Sequence, residues 1–270
     1  MLIGGREFDT DKETYIMGIL NMTPDSFSDG GSYADADAGC ERAREMMEEG
    51  ADIIDVGGLS TRPGYTEISE EEEAARIVPV IKKIKQLPGT VISVDTYRPS
   101  VAEAAIEAGA DLINDVSCLK EERLAQVAAK TGAAYCLMHN RNAAKRPYTE
   151  LLADVIEDIR EGLEKLKAAG VGRDRIMIDP GIGFAKDYEE NLKVLAGLGR
   201  FAELGYPVLL GISRKSVIGN ATGLPVGERE EGTIALNVYG MTKKVSFIRV
   251  HDVKGNARAV KMMREVLRYG

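Results

Sequence analysis

Asn21, Asp55, Asp95, Asn114, His139, Asp179, Arg214 with Lys215, and Arg249 with His251 are the side chains of this 270-residue chain best placed to do chemistry. Each stands at or just past the end of a short apolar run. The runs cover residues 15–20, 52–56, 91–94, 112–113, 134–138, 176–178, 208–212 and 247–250. A packed core has no use for carboxamides, carboxylates, imidazoles and cations at equivalent positions. A rim that binds a polar, partly anionic ligand does. There the carboxylates take directional hydrogen bonds and the cations meet negative charge.

Asp179-Pro-Gly-Ile-Gly-Phe184 puts a carboxylate after one such run, beside two glycines that let backbone approach a ligand closely. A carboxylate there suits the paired N–H donors of an amidine-like edge, such as that of a pterin, although the same turn also serves a purely structural role elsewhere. Gly57-Gly-Leu-Ser-Thr-Arg-Pro-Gly64 and Gly211-Ile-Ser-Arg-Lys-Ser216 carry hydroxyls and cations, the second leading into a helix. Arg62, Lys215, Arg249 and His251 together would form a positive pocket of pyrophosphate size inside a chain of net charge −8. Asn21 offers a hard oxygen to Mg2+, an ion that takes few protein ligands and keeps water and substrate phosphates. His139 and His251 have no Cys or His spacing of a structural zinc site. No nucleophile-elbow serine accompanies them, so acyl transfer is not indicated.

The elements that must position these residues follow from the spacing. Eight strand runs alternate with helical patterns at 35–49, from Ser69 onward, and at 99–108, 148–169, 187–201, 227–242 and 255–269. This is the pattern of an α/β (β/α)8 TIM barrel with its site at the C-terminal rim. Length and uniform composition point to a single domain over 1–270. Apolar residues around Gly4-Gly5 predict a short N-terminal hairpin that plugs the barrel's bottom. Ser69 followed by Glu70 to Glu73 reads as an N-cap and a solvated first turn. The connections 21–32 and 57–68 are long for βα loops and are read as binding loops.

Composition narrows the partners. The acidic balance argues against nucleic acid and against anionic membrane surfaces. No signal peptide and no apolar run near ~18 residues is present, which predicts a cytoplasmic location. Cys40, Cys118 and Cys136 match no disulfide or metal framework and are read as free thiols.

The motifs taken together resemble the dihydropteroate synthase family. They are Asn21-Met-Thr-Pro-Asp-Ser-Phe-Ser-Asp-Gly-Gly31, Asp55-Val-Gly-Gly58, Ser60-Thr-Arg-Pro-Gly64, Ser93-Val-Asp-Thr96, Asn114-Asp115, Asp179-Pro-Gly-Ile-Gly-Phe184, Ser213-Arg-Lys-Ser216 and Arg249-Val-His-Asp-Val253. The resemblance implies condensation of 4-aminobenzoate with a dihydropterin methyl diphosphate, by an SN1-like route through a pterin methyl cation. It implies a pterin pocket of Asp95, Asn114, Met138, Asp179 and Lys215. It implies diphosphate binding by Asn21, Thr61, Arg62, Arg249 and His251, with Mg2+ at Asn21. The 4-aminobenzoate site would use Phe27, Thr61, Pro63, Phe184, Lys215 and Ser216. Asp55, Asp95, Lys215 and Arg249 would carry the catalysis, and a homodimer is implied. The two long loops would close over the ring only after the diphosphate and Mg2+ have bound.

Three departures stand out: Leu59 where a Glu is common, Ala185 where a Gly is common, and Met138-His-Asn-Arg-Asn142 in place of a Met-His-Met-Gln-Gly form. The rival readings are a pterin-binding methyltransferase barrel acting from methyltetrahydrofolate to a corrinoid protein, and a catalytically silent pterin-binding barrel. The first has no need of the Ser60–Gly64 loop or of the basic cluster. The second would be expected to lose Asn21, Arg62, Lys215 or Arg249.

Overall fold

The computed structural model of the chain describes residues 1–23, 32–59 and 67–269. A hairpin opens it, with β1 (Leu2–Ile3) antiparallel to β2 (Arg6–Glu7). Gly4 and Gly5 make the turn at φ +56° and +80°, the left-handed pair that a two-residue hairpin of this twist requires. A Cβ on Gly4 would also lie 2.6 Å from the Asp111 carboxyl.

Eight parallel strands follow: β3 (Tyr15–Asn21), β4 (Ile53–Gly57), β5 (Ile92–Asp95), β6 (Leu112–Asp115), β7 (Ala134–Met138), β8 (Ile176–Asp179), β9 (Leu209–Leu210) and β10 (Phe247–Val250). Their order is β8-β7-β6-β5-β4-β3-β10-β9. A parallel bridge from Ile178 to Val208 ties the two ends into a barrel. Around it lie α1 (Ser32–Glu49), α2 (Glu70–Ile84), α3 (Pro99–Ala108), α4 (Arg123–Thr131), α5 (Leu151–Ala169), α6 (Tyr188–Ala196), α7 (Gly199–Ala202), α8 (Ser216–Thr222), α9 (Glu230–Thr242) and α10 (Val253–Leu267). The expected (β/α)8 barrel is what the chain forms.

Two hydrophobic layers hold it. Alternate strand residues point outward, among them Ile54, Val56, Ile92, Val94, Ile113, Leu137, Ile178 and Ile248, and pack under the helices. Burying each such side chain contributes roughly 1.5–3 kcal/mol. The inward set begins at the bottom with Met17, Ile53, Val91, Leu112, Ala134, Met177, Leu209 and Phe247. Ile3 and Phe8 of the hairpin segment close this layer from below, so the predicted plug is present. Two residues further along β4, β5, β6, β8 and β10, the same inward face carries Asp55, Ser93, Asn114, Asp179 and Arg249; Asp55 pairs in register with Ser93, and Asn114 with Cys136. The strand period of two therefore converts a dry floor into a polar mouth within one step.

Several expected boundaries move. α5 begins at Leu151 rather than 148, because the Asp154 carboxylate takes the Thr149 and Glu150 amides at 2.6 and 3.3 Å just ahead of it. α4 is not among the helical patterns expected from the sequence, although Leu124, Ala125, Val127 and Ala128 form its buried face at helical spacing. Residues 187–201 divide into α6 and α7, and β9 is shorter than 208–212. Ser69 does cap α2, accepting from the Glu72 amide at 3.1 Å. The solvated reading of its acids fails at Glu73, which is buried and accepts from Arg98 at 3.0 Å. No described helix is long and apolar enough to cross a membrane, and Cys40, Cys118 and Cys136 are free thiols.

Candidate active site

The strand ends bring two charged groups to the C-terminal mouth. The first is built from β4, β5, β6 and β10. Arg249 donates from Nε to Asp55 Oδ2 at 2.6 Å and from Nη2 to Asp95 Oδ2 at 2.6 Å. Asn114 Nδ2 donates to the same Asp55 oxygen at 3.3 Å. Asp55 is fully buried, and its Oδ1, like the Ser93 hydroxyl beside it in register, has no hydrogen-bond partner among the described residues. Such an orphaned pair at a site floor is a reserve of acceptors for a ligand's N–H groups or for ordered water. Burial pushes the Asp95 carboxyl up to about 7; Arg249 opposes that rise and Asp55 adds to it.

The second group belongs to β8 and to the segment after β9. Asp179 Oδ1 accepts the Gly181 amide at 2.7 Å, which aims its other oxygen at the mouth. Lys215 donates to the Ile182 carbonyl and lies 4.7 Å from the centre of the Phe184 ring. A Cβ on Gly211 would sit 3.4 Å from Asp179 Oδ2 and 3.9 Å from Lys215 Nζ, so glycine keeps the space between carboxylate and ammonium open. Burial raises Asp179 and lowers Lys215 to about 8, and each partly restores the other's charge. Asp95 and Arg249 also act on Lys215, so the two groups share one mouth. Met138 is buried opposite Asp179 in register and supplies an apolar wall.

The remaining expected residues fall into place unevenly. Asn21 ends β3 next to Gly57, where a Cβ would sit 3.8 Å from Asn21 Oδ1 and 3.5 Å from Asp95 Cβ. The carboxamide oxygen, a hard donor of the kind Mg2+ takes, thus stands at the strand end beside Asp95. His251 is anchored at the mouth by Ser213, whose hydroxyl lies 2.9 Å from Nδ1 and accepts the His251 amide at 3.1 Å. Ser216 opens α8 directly after Lys215 and is exposed. Phe27, Thr61, Arg62 and Pro63, and the loop closure expected of their segments, lie outside the described residues. Arg214, first counted among the rim cations, turns away to Asp252 at 2.8 Å.

A family of pterin binding enzymes matches residues 17–251. The chain is 53% identical to the dihydropteroate synthase of Clostridium beijerinckii, over 99% of this chain and 100% of that one. The chain belongs to the dihydropteroate synthase family. Among solved structures of dihydropteroate synthases, that from Clostridium difficile, in the presence of pteroic acid, superposes with a TM-score of 0.93 at 44% identity, over 97% of this chain and 100% of that chain. That from Xanthomonas albilineans, with 4-aminobenzoic acid, superposes with a TM-score of 0.92 at 39% identity, over 97% and 96%.

Dihydropteroate synthase motifs point to the residues gathered at the mouth but not to those that brace them. Lys186 and Asp158 give no sequence signal of their own, while Ser213 and Arg141 stand in the quoted stretches without a bracing role. Arg141 Nε donates to Asp158 Oδ2 at 2.6 Å, and His139 Nε2 lies 3.0 Å from the same oxygen. Within the unusual His139-Asn-Arg-Asn142 stretch, His139 and Arg141 thus turn onto α5, while Asn140 donates to the Val116 carbonyl at 3.0 Å. A His-x-Arg pair one strand end from an Asp on the following helix was the available signal. It specifies partners only once the helix register is known.

Proposed function

We propose that this chain condenses 4-aminobenzoate with (7,8-dihydropterin-6-yl)methyl diphosphate, giving 7,8-dihydropteroate and diphosphate. The observation that carries this is Asp179: a buried carboxylate with one oxygen fixed by Gly181, the other facing an open gap opposite Lys215. That is the complement of a flat ring with an amidine edge on one side. Asn114 and Asp55 Oδ1 extend the polar floor beneath it.

The reaction is an SN1-like displacement. The methylene C–O bond breaks first, and its electron pair leaves on the diphosphate oxygen. The pterin methyl cation that remains lies near Asp95 and Asp55, whose fixed negative charge stabilises it without reorganisation. The lone pair of the 4-aminobenzoate nitrogen then forms the C–N bond, and the nitrogen gives up a proton. Arg249 is held by two carboxylates before substrate arrives. An incoming diphosphate competes for Nη2 and uncovers Asp95 as the leaving group is neutralised. Lys215 and Phe184 set the side from which the ring approaches, with Ser216 at the start of α8 beside its carboxylate. Thr61 and Arg62 are assigned to the diphosphate, and Phe27, Thr61 and Pro63 to the ring, from sequence alone. A Mg2+ ion fits the Asn21 carboxamide as a hard ligand; when bound, it neutralises diphosphate charge.

Exposed Met262, Val266 and Leu267 on α10 and Tyr239 on α9 support a homodimer through the last βα units. The free thiols support a reducing, cytoplasmic setting.

Two outcomes are expected. The pH profile of kcat/KM for the pterin substrate should be bell-shaped. Activity falls as pH drops through about 7, where Asp95 gains a proton and loses its charge, and again above about 8, where Lys215 loses its own. Asp95→Asn should erase the acid limb; an unchanged acid limb in that variant assigns it elsewhere. Titration of 4-aminobenzoate with and without pyrophosphate plus Mg2+ tests the two-substrate reading. Binding should require the anion, and equal affinity in both titrations would remove the ordered scheme.

A further inference from the structure

Lys186 follows the Asp179–Phe184 turn and reaches back beneath it. Its Nζ lies 3.0 Å from the Gly181 carbonyl, 3.1 Å from the Phe184 carbonyl and 2.9 Å from His139 Nδ1. Three acceptors match the three N–H donors of an ammonium. Asp158 accepts from Nε2 of the histidine, which burial holds neutral with a pKa lowered to about 4, so Nδ1 is free to accept. Asp158 is in turn held by Arg141 and by Arg146, the latter at 2.7 Å. Lys186 makes no ion pair among the described residues, and burial lowers it to about 7 even though Asp179 favours its charged form. Between the Phe184 carbonyl that it reaches and Lys186 itself stands Ala185 at φ +51°, a left-handed conformation that an alanine leaves unless the surroundings hold it.

We propose that Lys186 is the positioning residue of the pterin floor. Resting on the synthase reading above, its ammonium clamps both ends of the 181–184 turn to the His139 ring. In doing so it forces Ala185 into the left-handed region and sets the aim of Asp179 and the place of the Phe184 ring. The turn's amide at Gly181 orients the carboxylate, and its carbonyl at Ile182 receives Lys215, so a shift of the turn displaces both binding groups together. The brace runs from α5 through Asp158 and His139, and therefore through the stretch in which this chain departs from the common family form.

Lys186→Met keeps the length of the side chain and removes the donors. Calorimetric titration with the dihydropterin methyl diphosphate should show affinity reduced roughly ten- to hundredfold, the scale of a misplacement of about 1 Å. Adding Ala185→Gly should recover roughly fivefold, because glycine keeps the left-handed conformation unaided. A residue that only fills space or lends stability would show no such recovery. Ala185→Gly alone should bind within about twofold of wild type, since the clamp and not the alanine fixes the turn. That variant tests the clamp even if Lys186→Met does not fold. Wild-type affinity in Lys186→Met, no recovery in the double variant, or a large loss in Ala185→Gly alone would each overturn the proposal. Wild-type protein that binds no pterin diphosphate would instead overturn the functional reading beneath it.

Discussion

Asp179→Ala is expected to abolish measurable pterin binding while leaving the barrel folded. Removing one side of a buried charge-assisted pair costs about 3–5 kcal/mol, which is several hundred-fold or more in affinity. The side chain does two things here. It accepts the Gly181 amide at 2.7 Å, and it faces the ligand space opposite Lys215. Asp179→Asn separates them, because an amide oxygen still accepts from Gly181 but the charge is gone. The alanine variant should be the weaker binder of the two, and both should keep the circular dichroism of wild type. Calorimetry giving wild-type pterin affinity in the alanine variant would take Asp179 out of the site.

Arg249→Ala is expected to remove activity and also to lower stability by about 3–5 kcal/mol. Asp55 is fully buried, and both it and Asp95 lose their shared cation. The loss has a defined pH dependence. A carboxyl whose folded pKa is raised holds more protons folded than unfolded between its two pKa values, so stability falls as pH rises through that window. Asp95 already stands at about 7 with Arg249 present, and losing the cation raises it further. Urea unfolding should therefore show a smaller deficit near about pH 5.5 than near about pH 8. An equal deficit at both would mean that the abandoned carboxylates do not account for it.

Which parts of this architecture could be read from the sequence follows from the range of the interactions involved. Strand ends were legible because one short apolar run and the polar residue after it are adjacent in sequence, and the barrel places every such residue at the same rim. Asp55, Asp95, Asn114, Asp179 and Lys215 were found this way. The hairpin was legible in Gly4-Gly5 for the same local reason. Pairing was not. Arg249 meets Asp55 across 194 positions and Asp95 across 154, and no spacing rule says that it is held by two carboxylates before any diphosphate arrives. Arg214 looked like a neighbour of Lys215 in purpose as well as in sequence, yet its left-handed backbone at φ +58° turns it to Asp252. Glu73 sits in a run of four glutamates that reads as solvated, and only the position of Arg98 makes it a buried partner. Lys186 lies two residues past the Asp179–Phe184 motif and gives no signal until the turn folds over it.

The account rests on a two-substrate condensation with diphosphate as the leaving group. Its most direct test is pyrophosphate release by the purified protein with Mg2+, measured with the dihydropterin methyl diphosphate alone, with 4-aminobenzoate alone and with both. Release is expected only with both, in equal amounts with dihydropteroate identified by mass. Tight binding of the diphosphate without release when both are present would contradict it.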